Sequence, residues 1–126
     1  MTITCGIDWA EGHHDIAIVD AEGRTLARAR IDTGVAGFGM LLELIAEHSG
    51  SPNETPVAIE TDKSLVVVAL VAAGFTVYPI NPRAVARYRE RYEQSGAKSD
   101  SADAAVLANV LRTDRHVHRP LPVTSE

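Results

Sequence analysis

Cysteine is almost absent. Cys5 is the single thiol among 126 residues, which excludes a disulfide framework and any cysteine-rich zinc site. Long apolar runs are missing too: the longest, from Leu65 to Ala73, falls far short of the ~20 residues needed to cross a bilayer. The opening residues, Met-Thr-Ile-Thr-Cys-Gly-Ile-Asp, lack the basic region and apolar stretch of a secretory signal. A cytoplasmic chain with no membrane partner is therefore expected. Neither an internal repeat nor a low-complexity stretch is present. Positive charge is also short, with 12 Lys+Arg against 17 Asp+Glu and a formal net charge of -5. Taken as a total, that acidity argues against nucleic acid as a partner.

What is present changes this picture. At 45% hydrophobic and 23% charged residues, the chain has the composition of a single globular domain. Its charge is unevenly distributed. Residues 1–82 carry four Lys or Arg against eleven carboxylates, whereas residues 83–119 carry eight against five. Such asymmetry points to nucleic acid more directly than the total does. Within the basic part, Arg83, Arg87 and Arg91 recur every four residues, forming one stripe on a helix.

Hydrophobic periodicity divides the chain into elements. Ile3 to Asp8 reads as a buried strand, His14 to Val19 as a second and Thr25 to Asp32 as a third, joined by short turns into an antiparallel meander. A helix from about Val35 to His48 follows, with Phe38, Leu41, Leu42 and Ile45 on one face. Val57 to Glu60 is a short strand. Leu65 to Ala73 is apolar all round, and it reads as a helix because Gly74 suits the position after a helix end. Thr76 to Ile80 is another strand. Asn81-Pro82 then starts a helix to about Glu93, and Ser99 or Asp100 starts a last one to about Arg112. Right-handed crossovers place the later strands parallel to the first. The expected fold is an α/β, mixed five-stranded sheet, its first three strands antiparallel, with helices on both faces. Residues 1–115 form the domain, and 116–126 read as a linker or the start of a following region.

Carboxylates then stand out by position. Asp8 ends the first strand and Glu60 the fourth, and these two strands are expected to be parallel neighbours, so both acids emerge at one sheet edge. Open α/β sheets place their sites at such an edge. In the last helix, Asp100 and Asp103 share the face of Leu107, Val110 and Leu111. Capping accounts for Asp100 but not for an acid at 103 on the apolar side. Two charges 4 Å apart interact by about 4 kcal/mol at an effective dielectric near 20, so four converging acids call for cations. Oxygen-only ligands suit Mg²⁺ or Mn²⁺, and two such ions suit phosphodiester cleavage or transfer.

The motifs Gly6-Ile7-Asp8, Ile59-Glu60-Thr61, Asn81-Pro82 and Lys98-Ser99-Asp100-Ser101-Ala102-Asp103-Ala104, with Leu107-Ala108 after them, resemble the DEDD transposases of the insertion sequence 110 family. The resemblance covers nearly the whole chain in order and spacing. It implies a RuvC-like domain of the ribonuclease H fold, with Asp8, Glu60, Asp100 and Asp103 as the metal-binding, catalytic tetrad. It also implies DNA as substrate, a structured guide RNA as partner, and self-association of a longer protein. Members of that family continue into a coiled coil and a second domain bearing a nucleophilic serine. Trp9-Ala10 departs from the small residues and lysine common in the family after the first acid.

Other residues have plainer readings. Arg83, Arg87, Arg91 and Lys98 are candidate nucleic-acid contacts, with Tyr88 beside the arginine stripe. Asp62 reads as a helix cap, Trp9 as a cover over the sheet edge, and Cys5 as a small core residue. His13, His14, His116 and His118 read as exposed polar residues. Besides a transposase catalytic domain, the residues allow a stand-alone Holliday-junction-type nuclease or a non-catalytic nucleic-acid-binding and assembly module. An actin-like ATPase shares the strand order but needs a second lobe, for which 126 residues leave no room.

Overall fold

Alternation along the first strand divides the molecule into two layers. The computed structural model describes residues 3–48, 51–60, 65–92 and 100–121, with side chains described there except at 53, 82, 89–92 and 100–103. In β1 (Ile3–Trp9), Ile3, Cys5 and Ile7 belong to one core cluster, while Gly6 faces the opposite layer. Side chains on a strand alternate with period two, so Asp8 shares the face of Gly6.

β1 sits at the centre of a five-stranded sheet of order β3-β2-β1-β4-β5. It pairs antiparallel with β2 (His13–Asp20), which pairs antiparallel with β3 (Thr25–Asp32). On its other side β1 is parallel to β4 (Val57–Ile59), and β4 is parallel to β5 (Val77–Pro79). This is the mixed sheet expected from the element order.

One face is covered by α1 (Val35–Glu47) and α2 (Leu65–Ala72). Leu41 and Ile45 of α1, with Val67 and Leu70 of α2, are buried against Ile7, Ile16 and Ile59. Each such side chain contributes about 1.5–3 kcal/mol when fully buried. α2 ends where the sequence placed its stop. Gly74 takes a left-handed φ of 99°, and Phe75 N–H donates to the Leu70 carbonyl at 3.0 Å, closing the helix in a Schellman turn. Phe75 itself enters the core.

The other face is covered by α3 (Pro82–Tyr92) and α4 (Asp100–Asp114). Here Leu107, Val110 and Leu111 pack with Tyr78, Ile80 and Val85, as the helical spacing of the first three predicts. Asn81 caps α3, its Oδ1 accepting from Arg83 N–H at 2.7 Å. Beyond α4 the chain stays on the body for several residues. A 3-10 turn spans Arg115–Val117, and Leu121 N–H donates to the Val77 carbonyl at 2.8 Å. No described helix is long and apolar enough to cross a membrane.

Candidate active site

Register places three acids side by side. Ile7 and Ile59 are partners across the parallel β1–β4 pair, so Asp8 and Glu60 follow at the next position. On the other side, Asp8 is the direct partner of Asp15 in β2. All three share the α4 face, at the edge where the parallel strands end. Asp8 and Glu60 are half-buried, and Asp15 is 4% exposed.

The last helix brings the remaining candidates to the same edge. A Cβ built on Gly6 would stand 2.1 Å from the Ala104 carbonyl oxygen and 2.5 Å from the Ala108 nitrogen. Backbone therefore meets backbone at this point, and only glycine admits it. Further along α4, the Arg112 guanidinium lies against Gly23, in the β2–β3 turn at the opposite end of the sheet. The helix thus runs antiparallel to β1. Its first turn, from Asp100 through Asp103, lies beyond Ala104 in the direction of Asp8. The side chains of Asp100 and Asp103 are outside the described set, as are residues Lys98 and Asp62.

Asp15 is a residue that the sequence reading missed. Arg30 of β3 binds it bidentately, Nε donating to Oδ1 at 3.1 Å and Nη2 to Oδ2 at 3.2 Å. His13 Nε2 lies 3.8 Å from Oδ2. The available signal was the short turn at residues 10–12, which fixes a hairpin register and so makes Asp15 the neighbour of Asp8.

His14 departs from expectation, whereas His116 is exposed as expected. His14 is buried at 5% exposure, stacked on Trp9 with ring centroids 6.3 Å apart, and its Nδ1 accepts from Ala10 N–H at 3.4 Å. Burial, with His13 adjacent, holds its pKa below the usual histidine value. The reason is register: His14 is the partner of Trp9 and turns to the core side. Trp9 itself is 38% exposed. Cys5 is a core residue as read, and burial pushes its thiol up to about 12.

Of the basic stripe, Arg83 and Arg87 are exposed on α3, and the side chain of Arg91 is outside the described set. Arg83, in the first turn of α3, follows directly from the acidic edge. Arg87 lines a cavity of about 490 Å³ with Tyr88, Asp114 and His118. There the Tyr88 hydroxyl donates to Asp114 Oδ2 at 2.6 Å, and His118 Nε2 lies 3.5 Å from the same hydroxyl. Arg115 reaches back to the Tyr78 hydroxyl at 3.1 Å.

No group of three or more His, Cys, Asp or Glu side chains suited to a metal ion occurs among the described residues. The described part of the edge carries Asp8 and Glu60 beside Asp15, which Arg30 binds. The oxygen-only donor pair of Asp8 and Glu60 fits a hard divalent cation, and the α4 first turn brings two more acidic positions to it.

Comparison with known proteins bears on the family and the fold. A family model described as transposase, of the DEDD type, matches residues 5–126. The chain is 58% identical over 127 aligned residues to a Streptomyces coelicolor relative named for the transposase of the IS117 mini-circle, covering 100% of this chain and 31% of that one. It is 37% identical to a Sinorhizobium fredii relative named as transposase y4uE, covering 94% and 34%. The chain therefore spans about a third of the length of these curated relatives. Its fold is similar to that of RuvC from T. thermophilus, solved in complex with a Holliday junction substrate, with a TM-score of 0.65 at 17% identity over 96% of this chain and 100% of that chain.

Proposed function

The chain belongs to the DEDD transposase family, and on that premise we propose that it is the metal-dependent part of a DNA strand-transfer enzyme guided by RNA. What carries the reading is one juxtaposition. Asp8 and Glu60 leave adjacent parallel strands in register, and the first turn of α4 arrives at the same edge across Gly6.

Asp8, Glu60, Asp100 and Asp103 would hold the divalent cations, Mg²⁺ or Mn²⁺ and two in number. When bound, such ions stabilise the attacking and leaving oxygens of an in-line displacement at phosphorus. The protein's own contribution is placement. Two rigid strand ends and a helix terminus fix the carboxylates before the substrate arrives, which is where catalytic precision comes from. Arg83, Arg87, Arg91 and Lys98 would contact the phosphate backbone, which positions the nucleic acid without reading its sequence. A guide RNA, self-association and a serine-bearing partner domain belong to the same reading, at the scale of the longer relatives. The likeness to RuvC speaks to the fold, whereas 58% identity to a protein named as a transposase favours strand transfer over junction resolution.

The test is strand exchange by the complete gene product carrying Asp8→Asn or Asp100→Asn. Both amides preserve shape and remove charge. Each is expected to lower exchange by about 10²–10³-fold, the scale seen when one group that stabilises transition-state charge is removed. Nucleic-acid binding should persist. Unchanged exchange in either variant refutes the assignment.

A further inference from the structure

Asp15 and Arg30 have no part in that reading, yet they continue the same row. Across the sheet edge the order is Arg30 on β3, Asp15 on β2, Asp8 on β1 and Glu60 next to it on β4, fixed by the pairings Arg30 with Asp15 and Asp15 with Asp8. We infer that Arg30 is a phosphate-binding residue of this edge, oriented by Asp15, and that it takes the phosphodiester backbone of the nucleic acid held at Asp8 and Glu60. The inference deepens the proposed function and rests on it.

Three observations carry it. The first is the division of exposure within the pair: the Asp15 side chain is 6% exposed and that of Arg30 58%. The carboxylate is the buried anchor, and the guanidinium reaches solvent at the rim. Its fork to Asp15 uses Nε and Nη2, which fixes the plane of the guanidinium, and an exposed planar guanidinium held in one orientation suits a phosphate.

The second is the cost of Asp15. Its neighbours on the same face of β2, Ala17 and Val19, are apolar and fully buried. Burying a carboxylate there is expensive, and an ion pair seldom outperforms an apolar residue of similar size. Packing therefore does not account for an acid beside two other acids. A guanidinium held in one orientation does.

The third is the surrounding charge. Asp8 and Glu60 would be occupied with divalent cations, so direct side-chain contacts to a phosphate backbone fall to the flanks of the edge. Arg83 stands on the β5 side. On the β3 side Arg28, also exposed, shares the face of Arg30 two residues earlier, at a strand spacing of roughly 6.8 Å, close to the separation of neighbouring phosphates along one strand. Arg28 and Arg30 thus continue a backbone path away from the acids. They are two of the four cations among residues 1–82, the part whose net charge is negative.

The experiment measures binding of a labelled four-way DNA junction to the complete gene product by fluorescence anisotropy, in Ca²⁺ and over a series of KCl concentrations. The double variant Asp15→Asn/Arg30→Gln removes both charges together and avoids a lone buried carboxylate. It is expected to raise Kd about tenfold at low salt, as for loss of a hydrogen bond to a charged group, and to reduce the log–log salt slope by about one. Arg30→Lys keeps the charge and loses the fork, so it should keep the slope while weakening binding several-fold. Kd and slope equal to wild type in the double variant overturn the inference, as does full affinity in Arg30→Lys. Asp8→Asn, run alongside, separates the two readings. If it retains strand exchange, the acidic-edge chemistry fails while the salt-slope result for Arg30 stands by itself.

Discussion

His14 sits with its ring against Trp9 and its Nδ1 on a backbone N–H, in a setting that opposes a positive charge. Its pKa is lowered on folding, chiefly by burial, so the unfolded chain binds this proton more readily than the folded one. Stability associated with the group is therefore present above the ordinary histidine value near 6.5 and declines as pH falls below it. Thermal melts at pH 7.5 and 5.5 should show wild type losing more Tm than His14→Gln over that interval; equal losses would exclude the effect. The same residue marks a limit of sequence reading. Asp8 and Glu60 were legible because each ends an apolar run, and position along the chain is enough to see it. His14 and Asp15 were not, because adjacent residues in a strand face opposite ways and only the register with β1 decides which way. Polarity suggested exposure for His14, and pairing with Trp9 overrode it.

At the scale of elements, α4 and β1 meet backbone to backbone. Gly6→Ala would place a methyl carbon within 2.1 Å of the Ala104 carbonyl oxygen, and backbone cannot yield as a side-chain tip can. A loss of about 1–3 kcal/mol or more is expected, read from the urea midpoint, with strand exchange falling because the first turn of α4 moves. Gly39→Ala is the counterpart. It lies in α1 with nothing within 4 Å of its built Cβ, and helix propensity predicts a gain of up to about 1 kcal/mol. Element positions were largely readable from periodicity and punctuation: Asn81-Pro82 started a helix and Gly74 ended one. The tail was less so. Residues 116–121 have no hydrophobic period, yet Leu121 lies against the core, a contact that one apolar residue makes without leaving any pattern.

For the whole molecule, β1 and β4 are shared by both layers, one core cluster lying on each face. Neither cluster can be lost while the other keeps its sheet, so unfolding should be a single cooperative transition. Trp9 fluorescence, far-UV circular dichroism and Cys5 labelling should give coincident urea curves. With its thiol pushed up to about 12, Cys5 should stay unreactive at pH 8 until the transition. Two separated midpoints would show that the layers unfold independently. The same sheet also bears on how copies of the chain can meet. Its outer strands are β3 and β5, and an uncovered outer strand is an invitation to edge-to-edge aggregation. β5 is three residues long, ends at Pro79, which has no N–H to offer, and already receives Leu121. β3 is longer but carries Arg28, Arg30 and Asp32 along one side. The arginines assigned to a phosphate backbone are thereby also a guard on the sheet, and a variant that neutralises them would trade solubility along with affinity.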